Sequence, residues 1–167
     1  MRPARRRWAV ALVVPALALS LAACSGADEQ GTPAQRLDSW VSSTQVGQSV
    51  GTLVGDGAAV ARAQGEDLGP GALHTVCGVL TTDAEAANAN LPSPDQQVTV
   101  WLSQAYQLEY EAGGDCYSAG TSGLQRSASR RAQAVQLMDR ALIRIQALTG
   151  RAVATTTTTQ PGSGLLG

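Results

Sequence analysis

Apolar residues recur every three or four positions from about residue 33 to residue 150, the spacing that predicts helices. No stretch shows the alternation of apolar and polar residues that is typical of a strand. The clearest helical pattern lies near the carboxyl end and includes eight positions: Leu124, Ala128, Ala132, Val135, Met138, Leu142, Ile145 and Leu148. Such a stripe is typical of a helix that faces the core of a bundle. The sequence therefore predicts an all-α fold.

Residues that start and stop helices mark the boundaries of the predicted elements. Thr32 and Ser93 each precede a proline and lie three residues before a glutamine, which is the arrangement of a capping box. Glycines and prolines, among them the pair Gly113–Gly114, are the expected stops. The pattern predicts an antiparallel four-helix bundle with short loops, and its helices span residues 33–64, 71–90, 94–112 and 122–149.

The first predicted helix is the least regular. Its apolar stripe changes phase near residues 44–48, so we expect a kink or a break there. Gly47, Gly51 and Gly55 lie four residues apart on one face, and each costs about 1 kcal/mol relative to alanine. We favour close approach of a neighbouring helix over a glycine-mediated oligomer or membrane insertion, because residues 41–61 are too polar for a span.

The first 24 residues have the pattern of an export signal. Basic residues at positions 5–7 are followed by an apolar run and then by Leu21-Ala22-Ala23-Cys24. The last four residues resemble the lipobox of bacterial lipoproteins. This resemblance implies that residues 1–23 are a signal peptide and that Cys24 carries a diacylglycerol. The protein would then be anchored by lipid to the cell membrane, on the extracytoplasmic face.

Two alternatives to a lipid anchor are less favoured. One is ordinary cleavage without lipidation, and the other is a retained transmembrane segment. Residues 8–23 are shorter than the span of about 20 apolar residues and contain Pro15. Under the lipoprotein interpretation, residues 24–32 are a lipidated tether, residues 33–150 form the bundle domain, and the Thr-rich residues 151–167 are a disordered tail.

Charge argues against a nucleic-acid partner. Of the 12 basic residues, four are arginines of the signal peptide, which leaves 8 arginines against 13 acidic residues, a net charge of −5. Acidic residues concentrate in residues 66–115 and arginines in residues 126–151, so opposite charges are expected to meet between the third and fourth helices. The candidate partners are Glu109, Glu111 and Asp115 on one helix, and Arg126, Arg130 and Arg131 on the other.

Cys77 and Cys116 are expected to form a disulfide, because an exported protein meets an oxidising environment. In a simple hairpin of straight helices the two cysteines would lie about 13 Å out of register. We therefore expect the third helix to end at Gly113–Gly114, so that the following residues fold back along the second helix. Tyr117 would then pack beside the disulfide.

Residues with catalytic or metal-binding chemistry are few. His74 lies one helical turn before Cys77, and together with Cys116 it would offer ligands for a soft metal ion. No further ligand motif accompanies these residues, so a disulfide beside a surface histidine is the favoured interpretation. No nucleophile elbow or phosphate-binding loop is present. We expect no enzymatic activity, no metal and no cofactor.

The possible binding surface consists of Tyr106 and Tyr110 on the third helix and Arg130 and Arg131 on the fourth. The tyrosines lie four residues apart, off the apolar stripe, where they would form a ledge. The favoured function is a non-enzymatic interaction or structural module that docks another envelope protein through a charged face. The alternative is a small-ligand-binding lipoprotein with a pocket between helices, where the small residues of the first helix leave room.

Several segments resemble a group of small exported proteins of actinobacteria. They are Leu91-Pro-Ser-Pro-Asp95, Thr99 to Leu-Ser-Gln-Ala-Tyr106, Asp115-Cys-Tyr117, and Arg140-Ala-Leu-Ile-Arg-Ile-Gln-Ala-Leu-Thr-Gly150. The resemblance extends over residues 36–150, includes Cys77, and supports its pairing with Cys116. The resemblance implies a location and a fold, and it does not indicate an activity or a ligand.

Overall fold

The computed structural model describes residues 31–66, 69–118 and 121–155, apart from the side chains of residues 121 and 122. The predicted signal peptide, Cys24, most of the tether and residues 156–167 of the predicted tail lie outside these ranges. The described residues form five helices: α1 (Pro33–Thr44), α2 (Val46–Gly65), α3 (Pro70–Asn88), α4 (Gln96–Tyr117) and α5 (Thr121–Thr149). The all-α prediction is confirmed. Within these ranges no helix combines the length and the apolar character that a membrane span requires.

The single helix expected over residues 33–64 is two helices, so the predicted number of four was wrong for this part of the chain. The capping box at its start is confirmed: the Gln35 amide donates to the Thr32 hydroxyl, and the Thr32 amide donates to the Gln35 side chain. The break falls at Gln45, whose φ of 51° and ψ of 40° are left-handed and interrupt the helix. It lies within residues 44–48, where the apolar stripe changes phase.

Asp95 links the start of α4 to α5. The helix begins at Gln96 rather than at Pro94, because Asp95 and not Ser93 caps it: the amide of Val98 donates to Asp95 Oδ1 over 2.9 Å. The same carboxylate accepts two hydrogen bonds from Arg144, each 2.8 Å long. Arg144 thereby lowers the pKa of Asp95 below its ordinary value.

The core is made mainly of aliphatic side chains from all five helices, together with the ring of Tyr106. α4 packs between α3 and α5, whereas α2 packs mainly on α3 and touches α5 at few points. The largest side chains that are almost completely buried include Leu37, Leu53, Val60, Leu80, Leu102, Met138 and Ile145. Because α2 and α5 meet so sparsely, a gap remains between them.

Cys77 of α3 and Cys116 of α4 lie at disulfide-bonding distance, with Cα atoms 5.7 Å apart. The expected route to this pairing was wrong, because α4 does not end at Gly113–Gly114 but continues to Tyr117. Seven residues connect α3 to α4. This connection lets α4 begin at a different position along the helix axis from the position where α3 ends. The ring of Tyr117 stacks on His74, which lies one helical turn before Cys77, with 4.5 Å between the ring centroids.

Gly113 has a packing role. It is buried, and a Cβ atom there would overlap Thr81 Oγ1 and lie 2.9 Å from the carbonyl oxygen of Cys77. The missing side chain therefore lets the backbones of α3 and α4 approach beside the cysteines. Gly114 differs, because a Cβ at that position would meet no atom within 4 Å.

These two neighbouring glycines form a matched pair for mutagenesis. Gly113→Ala is expected to lower the unfolding free energy by about 2 kcal/mol, because α3 and α4 must separate to accommodate the methyl group. Gly114→Ala is expected to raise it by up to about 1 kcal/mol, because alanine favours the helix and meets no neighbour. Urea-induced unfolding measures both changes, and equal effects of the two substitutions would contradict this interpretation.

Gly47 makes a different close contact. A Cβ atom there would overlap the carbonyl oxygen of Ala154 and lie 2.8 Å from Val153 Cγ1. Close approach at this glycine is confirmed, but its neighbour is the segment after α5 rather than a helix. Arg151 of this segment pairs with Asp38 of α1 at 2.8 Å, so residues 151–154 fold back over α1 and α2.

Candidate functional site

An open cleft of about 520 Å³ lies between α2 and α5. This volume is within the range of sites that bind small molecules. Its walls are mainly small or apolar residues: Leu53, Val54, Gly57, Ala58 and Ala61 from α2, and Ala128, Ala132 and Val135 from α5. Glycine has no side chain and alanine has only a methyl group, so neither fills the space between two helices. The cleft results from the presence of such small residues on the walls that α2 and α5 form.

The cleft explains why the core-facing surface of α5 differs from the predicted stripe. Met138 and Ile145 are buried as expected, but Ala128, Ala132 and Leu148 are exposed. The buried positions of α5 also include residues outside the stripe, namely Gly123, Ser127, Ala134 and Ala141. Ala128 and Ala132 were expected to face the core and instead line the cleft. Part of the apolar stripe therefore forms an accessible surface.

Glu109 of α4 lies at the base of the cleft and is 1% exposed. Its Oε2 atom is buried and has no hydrogen-bond partner among the described residues. Burial raises the pKa of Glu109 to about 8, and the negative charge of Asp56 adds to this effect, while Arg131 opposes it. Glu109 is therefore mainly neutral at pH 7, and its carboxyl group can donate a hydrogen bond.

Arg131 of α5 reaches across the cleft toward α2. Its Nη1 atom donates to the carbonyl oxygen of Gly57, whereas its Nε atom is buried and has no partner in the described part of the chain. Burial lowers the pKa of Arg131 and the neighbouring Glu109 counteracts this, but a guanidinium remains charged at neutral pH. Arg131 and Glu109 are the two ionisable residues that line the cleft.

Two further carboxyl groups belong to the same region. Asp56 of α2 has a buried Oδ2 atom without a hydrogen-bond partner among the residues described. Its pKa is raised to about 7, first by burial and then by hydrogen bonding with Asp83 of α3 and by the charge of that residue. Two adjacent carboxyls favour sharing a single proton. With Glu109 and Arg131, they form an ionisable layer to which α2, α3, α4 and α5 each contribute one residue.

Two of the four residues in this layer were not predicted from the sequence. Asp56 and Asp83 were not singled out, and Glu109 was considered only as a partner for a surface arginine. A usable signal was present for Glu109, which lies four residues after Ala105 and three before Ala112, on the apolar stripe of its helix. Asp56 lies between two glycines in an apolar stretch, which alone does not indicate a site.

The four residues of the predicted binding surface lie in different surroundings. Tyr106 is 2% exposed, and burial raises its pKa, whereas Tyr110 is 40% exposed. The two tyrosines line a shallow groove between α3 and α4. Arg131 enters the α2–α5 cleft, and Arg130 binds acidic residues of α4. The structure therefore does not bring these four residues into one surface.

The expected charge pairing between α4 and α5 is present. Arg126 lies 3.2 Å from Asp115, and Arg130 lies 3.2 Å from Glu111 and also bonds to Asp115. These contacts engage Arg126 and Arg130 within the molecule. Being partly exposed, each pair contributes at most about 1 kcal/mol to stability.

Neither metal ligands nor similar proteins indicate a further site among the described residues. Among the residues in the three described ranges, no group of three or more potential metal ligands occurs. Comparison of the chain with protein-family models, with curated proteins and with solved structures finds no match.

Proposed function

We propose that the protein is a lipoprotein of the bacterial cell envelope, anchored through Cys24, whose helical domain binds a small, largely apolar ligand with a polar group in the α2–α5 cleft. The observation that carries the ligand-binding part is the buried Glu109 at the base of an apolar cleft. A buried polar atom without a partner costs about 1–3 kcal/mol. A bound molecule that supplies the missing hydrogen bond would offset that cost.

The proposed binding unit is an antiparallel four-helix bundle of α2 to α5, with α1 packed beside it. Extensive contacts between α3 and α4 and between α4 and α5 support this arrangement. The connections between these consecutive helices are short, which favours antiparallel neighbours. The cleft then occupies the seam where the first and last helices of the bundle meet incompletely.

We propose a binding role rather than an enzymatic one. The polar side chains of the cleft are one carboxyl, one guanidinium and the amide of Gln136. A carboxyl that is neutral near pH 7 beside a fixed arginine suits hydrogen bonding to a ligand. This set does not pair a nucleophile with a base, as covalent catalysis requires.

Docking of another envelope protein is the second candidate function. It is favoured by exposed apolar residues on α4 and α5, where Tyr110 is 40% exposed and Ile143 is 67% exposed. A partner that co-purifies with the wild type and is lost when Tyr110 or Ile143 is changed to serine would support this function. A partner that is retained by both variants would contradict docking through these exposed apolar residues.

Blocking the cleft tests the ligand-binding proposal. Ala132→Leu adds a larger side chain to the cleft wall, and Ala147→Leu is the matched control on an exposed position of the same helix. Full-length proteins are purified from the membranes of the native host, and extracted small molecules are measured by mass spectrometry. We expect a molecule that is retained by the wild type and by Ala147→Leu and is reduced about tenfold in Ala132→Leu. Equal amounts in all three proteins would contradict the proposal.

The lipid anchor has its own test. Cells grown with a fatty acid that carries a detectable label are expected to transfer it to the wild-type protein, because the lipobox resemblance implies acylation of Cys24. The Cys24→Ala variant should remain unlabelled and leave the membrane fraction or stay unprocessed. Labelling that survives Cys24→Ala would place the lipid elsewhere, and an unlabelled wild type would exclude a lipid anchor.

A further inference from the structure

We propose that the α2–α5 cleft selects an aliphatic carboxylate, whose carboxylate group binds Arg131 and Glu109 and whose apolar chain lies between the two helices. This inference rests on the proposed ligand-binding function and specifies the chemical class of the ligand. Three properties of the cleft support it: the hydrogen-bonding capacity of its polar atoms, its charge, and the composition of its walls.

The unpartnered polar atoms of the cleft can act mainly as donors. Arg131 Nε carries a hydrogen and cannot accept a hydrogen bond, and it is buried without a partner among the described residues. Glu109, when neutral, also donates from its carboxyl group. The carbonyl oxygen of Gly57 already accepts from Arg131 Nη1. A ligand that brings acceptor oxygens would therefore satisfy both donors.

The charge of the cleft favours an anion. Arg131 and Glu109 are its only ionisable lining residues among those described, and the neutral state of Glu109 leaves one positive charge. A guanidinium binds a carboxylate through parallel hydrogen bonds, which are stronger than those to a neutral oxygen. An ammonium group would instead be repelled by Arg131. The nearby Asp56 and Asp83 do not line the cleft, and burial and the proximity of Asp83 raise the pKa of Asp56 to about 7, which reduces the negative charge of Asp56.

The walls of the cleft match an aliphatic chain. Alanines and branched aliphatic residues of α2 and α5 line it on both sides, and none of them offers a side-chain hydrogen bond. Each buried methylene group of a ligand gains about 0.8 kcal/mol. Because the cleft is open along its outer side, it can accept chains of different lengths. Head-group chemistry, rather than chain length, would therefore determine selectivity.

The test compares three ligands with the same chain and different head groups. Decanoate, decanol and decylammonium, each labelled with carbon-13 at carbon 1, are titrated by NMR at pH 7 into the full-length protein. A neutral steroid glycoside detergent holds the protein in solution without supplying an aliphatic tail that would compete. We expect decanoate to bind about 10- to 100-fold more tightly than either other ligand, because of its charge-assisted hydrogen bonds.

Variants separate the head-group contact from the apolar cleft. Arg131→Gln is expected to abolish the preference for decanoate while changing decanol binding less than about threefold. Arg140→Gln is the matched control on the exposed side of α5 and should bind like the wild type. Ala132→Leu should weaken all three ligands together, because it narrows the cleft. If Arg131→Gln does not fold, the head-group comparison on the wild type and the Ala132→Leu result still decide the proposal.

Each alternative outcome is decisive. Equal binding of decanol and decanoate, or stronger binding of decylammonium, would overturn the carboxylate inference and leave the ligand-binding function in place. Binding of decanoate that Ala132→Leu does not affect would overturn both, because the ligand would lie outside the cleft. Failure of all three ligands to bind would overturn both as well.

Discussion

Removal of the Cys77–Cys116 disulfide is expected to lower the unfolding free energy by about 4 kcal/mol. The two cysteines are separated by 39 positions, and closing a loop of that length restricts the unfolded chain by this amount on the chain-entropy estimate. Both residues are almost completely buried, and alanine introduces no polar atom there that would need a partner. Urea-induced unfolding of the Cys77→Ala/Cys116→Ala protein, followed by circular dichroism, measures the loss.

Chemical reduction supplies an independent check on the disulfide prediction. Wild-type protein unfolded in the presence of a reductant should lose about the same stability as the double variant, since both lack the cross-link. Cys24→Ala is the control cysteine substitution and should unfold like the wild type. A loss below about 1 kcal/mol, or free thiols on both residues in the untreated protein, would show that the pair is not bonded in solution.

Local signals in the sequence located some ends of the helices. The capping box at Thr32 and the terminal glycine Gly150 mark ends of helices that the structure retains. The break at Gln45 follows from the change of phase in the apolar stripe, because one straight helix cannot bury both halves. These features depend on residues within one or two helical turns of each other, so they can be predicted from one sequence.

Features that depend on a neighbouring helix could not be predicted in the same way. Gly113 carries the usual signal of a helix stop, but the structure uses it where α3 approaches α4. Ala128 and Ala132 fit the buried stripe of α5, yet they line a cleft because α2 does not close over them. In both cases the residue type permits two roles, and only the position of another helix selects one.

The ionisable layer of the candidate site also depends on how neighbouring helices pack, and for that reason it could not be predicted from the sequence. Its four residues come from four helices. The pKa of Glu109 depends on burial and on the charges of Arg131 and Asp56. The pKa of Asp56 depends on burial and on Asp83. The sequence predicted the pairing of exposed acids and arginines between α4 and α5 from charge alone. It did not reveal which acid is buried, because that depends on the rotation of α4 about its axis.

The unfolding free energy is expected to decrease as pH rises from 5 to 8.5, by about 4 kcal/mol from Glu109 alone. In the unfolded chain this carboxyl ionises near pH 4.5, whereas burial keeps it neutral in the folded protein until about pH 8. The unfolded state therefore binds fewer protons over this interval, at a loss of at most about 1.4 kcal/mol per pH unit. The pKa of Asp56 is also raised, to about 7, so this residue likewise lowers the unfolding free energy as pH rises.

Glu109→Gln isolates the contribution of this one carboxyl group. Glutamine has the shape of neutral glutamic acid and does not ionise, so the variant should match the wild type within about 1 kcal/mol at pH 5 and be several kcal/mol more stable at pH 8.5. Asp56, Asp83 of α3 and Arg131 of α5 remain in both proteins. The pH dependence of stability that remains in the variant is therefore due to Asp56. Glu85→Gln, at an exposed position of α3, is the matched control and should retain the wild-type pH dependence. Urea-induced unfolding at the two pH values decides the outcome, and an unchanged slope in Glu109→Gln would mean that Glu109 is ionised in the folded protein at neutral pH.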